Sequence, residues 1–149
     1  MPSGIYKHLP ILALGGAVAF WATNFATSLT PIAADYRAAL SIAYLPMVLV
    51  ESSLGGLVIG FFVSYFLIRL YDKIPTQSPI LKAEILSVMA LLIGLLVAGV
   101  GASQLGPNEA VHYFLIGALL NVPRFLVLGF VVGYLYERLY ASSPDGRKG

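Results

Sequence analysis

The chain has 149 residues, 58% of them hydrophobic and 11% charged, whereas soluble domains carry about 25% charged residues. That excess of apolar surface excludes an ordinary water-soluble fold. A net charge of +2 from scattered Lys and Arg excludes the basic stripe that nucleic-acid binding requires, and the absence of cysteine excludes disulfides, iron–sulfur clusters and thiol chemistry.

The first charge-free run, Leu9 to Ala34, is 26 residues long, past the roughly 18 that mark a spanning helix. Lys7 followed by an apolar run resembles the start of a signal peptide. The apolar core is too long and lacks a small-x-small cleavage site, so the helix is expected to be retained. Thr30 suits an N-cap and Pro31 a first helical position. Ile32 to Tyr44 is therefore read as an outer-surface helix, with a loop as the alternative. As a helix it turns Ile32, Tyr36, Leu40 and Ala43 to lipid, and Arg37 and Ser41 to water.

The second run, Ala38 to Ile68, is interrupted by Glu51. Pro46 lacks an amide hydrogen, so this helix is expected to start there and to reach Tyr71. The third run, Ile85 to Asn108, is 24 residues without charge. In the fourth, Ala110 to Tyr136, Arg124 breaks the apolar pattern, and Pro123 leaves the Leu119 carbonyl without its helical donor, predicting a kink. The polar segment 141–149 is read as a disordered cytoplasmic tail. These features define an all-α membrane protein, a four-transmembrane-helix bundle forming a single domain in the lipid bilayer.

Lys7, Arg69, Lys73, Lys82, Arg138, Arg147 and Lys148 share one side of this arrangement, against Arg37 on the other. The positive-inside rule then places both termini in the cytoplasm, with the cell membrane as the expected location. Sliding the chain by 69 residues lays Ser53–Tyr71 over Val122–Tyr140 with nine identities in nineteen positions. Roughly two matches are expected by chance between two apolar helices, so the bundle is read as two parallel-oriented two-helix repeats, about 9–71 and 79–140. Each unit enters and leaves on the same side, which implies a pseudo-two-fold axis along the membrane normal. Convergence on Gly, Val and a Tyr/Arg interfacial anchor is the competing explanation. Small residues recur at four-residue spacing, Gly56, Gly60 and Ser64 in the second helix and Gly129 and Gly133 in the fourth. Such stripes allow close backbone approach, and the second and fourth helices are expected to touch across the axis.

Charges inside a spanning helix cost about 2.5 to 3.5 kcal/mol or more near its centre, so Glu51 and Arg124 demand a reason. With Tyr65 and Tyr134 at the inner interface, a rise of about 1.5 Å per residue puts Arg124 about 15 Å deep and Glu51 about 21 Å deep. In the repeat register Arg124 falls on Gly55, whose missing side chain leaves room for a guanidinium. Asn24, Thr27, Ser52 and Asn121 complete a candidate polar site in the outer half of the bundle. Three readings follow: a structural Glu51–Arg124 ion pair, an outward-facing site for a small or anionic solute, or a proton-coupled carboxylate. The inner half, with Gly60, Phe61, Phe62 and Val63 against Gly129, Phe130, Val131 and Val132, disfavours a continuous water-filled pore.

His8 and His112 fall on opposite sides and do not share a metal. Glu109 and His112 form no catalytic set without a nucleophile. Asp72 and Glu84, among Lys73 and Lys82, are read as solvated loop charges. No metal, cofactor or nucleic-acid partner is expected. The sequence reads first as a non-enzymatic helix-bundle subunit or scaffold that packs with copies of itself or within a larger membrane complex. A small transporter or solute-binding protein using Glu51 and Arg124 is the alternative.

Overall fold

Apolar segments in lipid must satisfy their own backbone groups, and helices do so within one segment. The computed structural model, which describes residues 4–39, 45–102 and 106–141, is correspondingly helical. A 3₁₀ turn at Ile5–His8 leads into α1 (Leu9–Ser28). The short α2 (Pro31–Ala39) precedes α3 (Leu45–Leu70). A second 3₁₀ turn at Tyr71–Lys73 separates α3 from α4 (Pro79–Ala102), and α5 (Pro107–Ala141) completes the described chain. Four of these helices, α1, α3, α4 and α5, are long and apolar enough to cross a membrane.

Local chemistry sets the starts. The Thr30 hydroxyl accepts from the Ala33 amide at 3.4 Å and donates to the Thr27 carbonyl at 2.6 Å, so α2 is helical from Pro31. Residues 40–44 of the expected surface helix, and the tail from 142 onward, lie outside the described residues. Ser78 caps α4 by accepting from the Leu81 amide at 3.4 Å, and Pro79 occupies the first helical position, where its missing N–H costs nothing. Consequently α4 begins six residues before the charge-free run at Ile85. Lys82 and Glu84 sit within a helix rather than in a solvated loop, which corrects that expectation. The helix α5 runs through Pro123. Around the proline, carbonyls of the preceding turn receive side-chain donors, Asn121 Nδ2 to Gly117 at 2.7 Å and Arg124 Nε to Leu120 at 3.3 Å.

Going round the bundle the order is α1, α3, α4, α5: α1 lies along α3, α4 along α5, α1 also packs on α5, and α3 meets α4 more lightly. The core between them comprises Phe20, Val63, Leu67, Ala83, Leu86, Leu91, Phe125, Leu128 and Val132. Phe20 and Phe125 meet edge to face at 5.5 Å. Outward faces are equally apolar. On α4, Leu92, Ile93, Leu96, Val97 and Val100 stay exposed, Val100 to 73%, as suits a surface solvated by lipid tails rather than water.

The expected contact of the second and fourth helices through their glycines is not found, since α3 and α5 lie diagonally and touch only slightly. A Cβ on Gly60 would stand 2.7 Å from the Ala13 carbonyl oxygen of α1, and one on Gly56 3.2 Å from that of Ala17. A Cβ on Gly129 would stand 2.8 Å from Glu84 Oε2, and one on Gly133 2.5 Å from Ile80 Cα, both on α4. Each stripe therefore meets the helix before it. A glycine face needs a facing helix with small residues of its own, and Ala13, Gly16 and Ala17 on α1 and Ala83 and Ser87 on α4 provide one.

Candidate functional site

At the end of the bundle that carries α2, the helices part around a cavity of about 290 Å³. Its lining draws Phe20, Asn24, Thr27 and Ser28 from α1, Ala33, Tyr36 and Arg37 from α2, Val48, Glu51, Ser52 and Gly55 from α3, and Leu120 and Arg124 from α5. Asn24, Thr27, Ser52, Glu51 and Arg124 thus come together in one space. Asn121, the sixth residue picked out by the sequence, is half-buried with its amide given to the Gly117 carbonyl.

The three aliphatic hydroxyls of this lining are engaged by their own helices. Thr27 donates to the Asn24 carbonyl at 3.1 Å, Ser28 to that of Phe25 at 2.8 Å, and Ser52 to that of Leu49 at 2.9 Å. These bonds suit helical Ser and Thr in a medium without water, because a back-bonded hydroxyl leaves no unmet donor. The Asn24 side chain is different: it is 4% exposed, and its Nδ2 is buried without a hydrogen-bond partner.

No ion pair joins Glu51 to Arg124, so a direct pairing within the bundle does not describe the site. Glu51 is exposed on α3. Arg124 is half-buried, donates Nε to its own helix at Leu120, and stands 5.5 Å from the Phe20 ring centroid. The guanidinium has five N–H groups in all, so its remaining donors are not spent on a carboxylate. Gly55 supplies the space, since a Cβ there would meet nothing within 4 Å.

Tyr36 and Arg37 line the cavity although the sequence pattern turns them elsewhere. Tyr36 was expected on the lipid face of α2 and Arg37 on its water face, but Ala33 is buried and both Tyr36 and Arg37 are half-buried against the bundle. The slot at Gly117 admits the Tyr36 ring, whose hydroxyl lies 2.9 Å from where a Cβ would be. Tyr36 also packs on Tyr113 at 6.4 Å. Arg37 donates Nη1 to the Ser28 carbonyl at 3.0 Å, one of the acceptors a helix C-terminus leaves over. Burial pushes the Tyr36 phenol above its ordinary pKa, and the nearby Arg124 charge opposes that shift. The signal missed was the match of Tyr36 with Gly117, which only tertiary contact reveals.

Below the cavity the bundle closes on Val63, Leu67, Leu128 and Val132. At the opposite end, Lys82 is 5% exposed, donates Nζ to the Tyr71 carbonyl, and lies 3.6 Å from the Tyr71 ring centroid. Tyr71 stacks on Tyr136 at 4.8 Å and Tyr136 on Tyr140 at 4.3 Å, with His8 edge-on to Tyr140 at 5.4 Å. His112 packs on Tyr113 at the other end. Among the described residues no group of three His, Asp or Glu is placed to hold a metal ion. Compared with known protein families, curated proteins and solved structures, the chain matches none of them.

Proposed function

We propose that this chain is a small solute-binding protein of the cell membrane, with both termini cytoplasmic and the α2-end pocket open to the outside. The observation that carries the reading is a polar cavity holding an arginine without a carboxylate partner and a buried asparagine amide without an acceptor. An intramembrane charge is costly, and one left unpaired beside a cavity is better explained by a ligand than by bundle stability. The apolar closure beneath the cavity supports binding over free conduction. The reading is non-enzymatic, and it is supported by the Thr27, Ser28 and Ser52 hydroxyls being tied to helix carbonyls.

The proposed orientation is supported by Lys7, Arg69, Lys73, Lys82 and Arg138 gathering at the end away from α2. A duplicated two-helix origin is part of the proposal. It is supported by matching contacts at matching positions: Arg69 donates to Tyr65 at 2.6 Å and Arg138 to Tyr134 at 3.1 Å, while Phe61 stacks on Tyr65 and Phe130 on Tyr134. Each glycine stripe also faces the preceding helix of its own unit.

Gly55→Leu tests the reading, since it fills the cavity without removing a polar group. Protein extracted gently in its native lipid should carry a small molecule, detectable by mass spectrometry, that the Gly55→Leu protein lacks and a Gly94→Leu protein retains. The same retained molecules in all three would favour the scaffold that the sequence first suggests, with copies of itself or a larger complex as partners.

A further inference from the structure

We infer that the pocket takes a singly charged oxyanion, a carboxylate or a phosphodiester, held by Arg124 and Arg37 with the Asn24 amide as a third donor. The inference rests on the solute-binding reading and adds the chemistry of the ligand. It starts from charge. The lining contains two arginines and one glutamate, two positive charges less one negative, so a monoanion brings the site to neutrality and a cation does not. Neutrality matters at this depth because an uncompensated charge in a low-dielectric site is costly.

Hydrogen-bond capacity points the same way. Arg124 spends Nε on Leu120 and Arg37 spends one Nη on Ser28, leaving each with further N–H groups. Asn24 Nδ2, buried to all but 4% of its residue surface, has no acceptor. The hydroxyls of Thr27, Ser28 and Ser52 already donate to helix carbonyls. Apart from the exposed Glu51 carboxylate, the uncommitted polar groups of the lining are mostly donors, and a carboxylate or phosphodiester offers only acceptors in the planar or tetrahedral array that guanidinium forks match. The volume of about 290 Å³ lies at the small end of ligand sites, enough for an acid head rather than a large metabolite. Glu51, exposed on α3, keeps the pocket from carrying a second net charge and so disfavours dianions.

The test is thermal unfolding of the full chain in maltoside micelles at constant ionic strength, titrated with propionate, dimethyl phosphate or neutral propionamide. Either anion should raise the melting temperature saturably, as ligand linkage requires, and propionamide should not. Gly55→Leu, which needs no refolding of the polar groups, should abolish the response, as should Arg124→Gln. Glu51→Gln should move saturation to lower anion concentration, an effect a purely structural glutamate would not produce. Adding phosphatidylglycerol or the matching diacylglycerol separates the sources. Saturation by phosphatidylglycerol alone assigns a lipid headgroup, and saturation by the soluble anions assigns a free solute. Absence of a saturable response to every anion, or an equal response to propionamide, overturns the inference. If a neutral or cationic molecule is retained by the native protein and lost in Gly55→Leu, the oxyanion fails while the pocket reading stands. If nothing is retained either, both fail together.

Discussion

Gly60→Ala adds one methyl group to α3 where it faces α1. The new Cβ would lie 2.7 Å from the Ala13 carbonyl oxygen and 3.2 Å from the Ala17 amide nitrogen, against 3.4 Å or more for ordinary contact. Both neighbours are backbone, so no side chain can swing aside, and the helices must separate by roughly 0.7 Å at the crossing. A gap of about 0.5 to 1 Å forfeits a quarter to a half of the dispersion energy of the atoms affected, and overpacking of this kind costs about 1 to 3 kcal/mol. Replacing glycine by alanine in a helix returns about 1 kcal/mol of propensity. With backbone on both sides the upper part of the cost applies, and a net loss of about 1 to 2 kcal/mol is expected. Gly94→Ala is the control, because nothing lies within 4 Å of its added Cβ and only the propensity gain remains. Equilibrium unfolding in mixed micelles, followed by circular dichroism as sodium dodecyl sulfate is added, measures both. The two variants should move in opposite directions. Equal stability, or a Gly60→Ala protein firmer than Gly94→Ala, would refute the close α1–α3 crossing.

Lys82→Met keeps the aliphatic stem but removes the ammonium that donates to the Tyr71 carbonyl. A charged hydrogen bond of this kind is worth about 1.5 to 3 kcal/mol, and the same unfolding titration should show a loss of about 2 kcal/mol, whereas a solvated lysine would show none. Tyr36 has a folded pKa above its ordinary 10.0. Its contribution to stability is therefore complete below about pH 10 and is lost as pH rises through the folded value. Tyr36→Phe should reduce the alkaline fall in stability, and an unchanged pH profile would remove Tyr36 from the account. Cysteines introduced at Ser3 and Ser142 should resist impermeant thiol reagents in intact cells, and labelling of either from outside would overturn the proposed orientation.

The four spanning helices were legible because two charge-free runs exceed the bilayer requirement and single charges interrupt the other two. Counting charges also hid the start of α4: Lys82 and Glu84 look like loop residues until the Ser78–Pro79 start signal is given priority. Their surroundings, with Lys82 over Tyr71 and Glu84 Oε2 buried at Gly129, depend on which helices meet. The glycine stripes were visible, but a stripe does not name its partner. The complementary small residues at Ala13 and Ala17, and at Ala83 and Ser87, stand at the same four-residue spacing and carried that information. In the polar site, side chains on the spanning helices were placed from depth alone. Tyr36 and Arg37 are not legible as site residues, because the amphipathic pattern of a short helix points to the lipid surface, whereas Gly117 and the Ser28 carbonyl draw it onto the bundle.

A double-mutant cycle on Glu51 and Arg124 tests most directly whether the arginine is held for a ligand or spent on the glutamate. Glu51→Gln, Arg124→Met and the double variant are compared by unfolding in micelles, and the coupling is the departure from additivity. Two charged residues that line one cavity without forming an ion pair should couple only weakly, by about 0.5 to 1 kcal/mol, the low end of the range for residues that share a cavity. Breaking a dry, buried pair from one side costs about 3 to 5 kcal/mol, much of it recovered when both partners go. Near-additive losses are the predicted result, and a coupling of several kcal/mol would contradict the pocket and restore a structural ion pair.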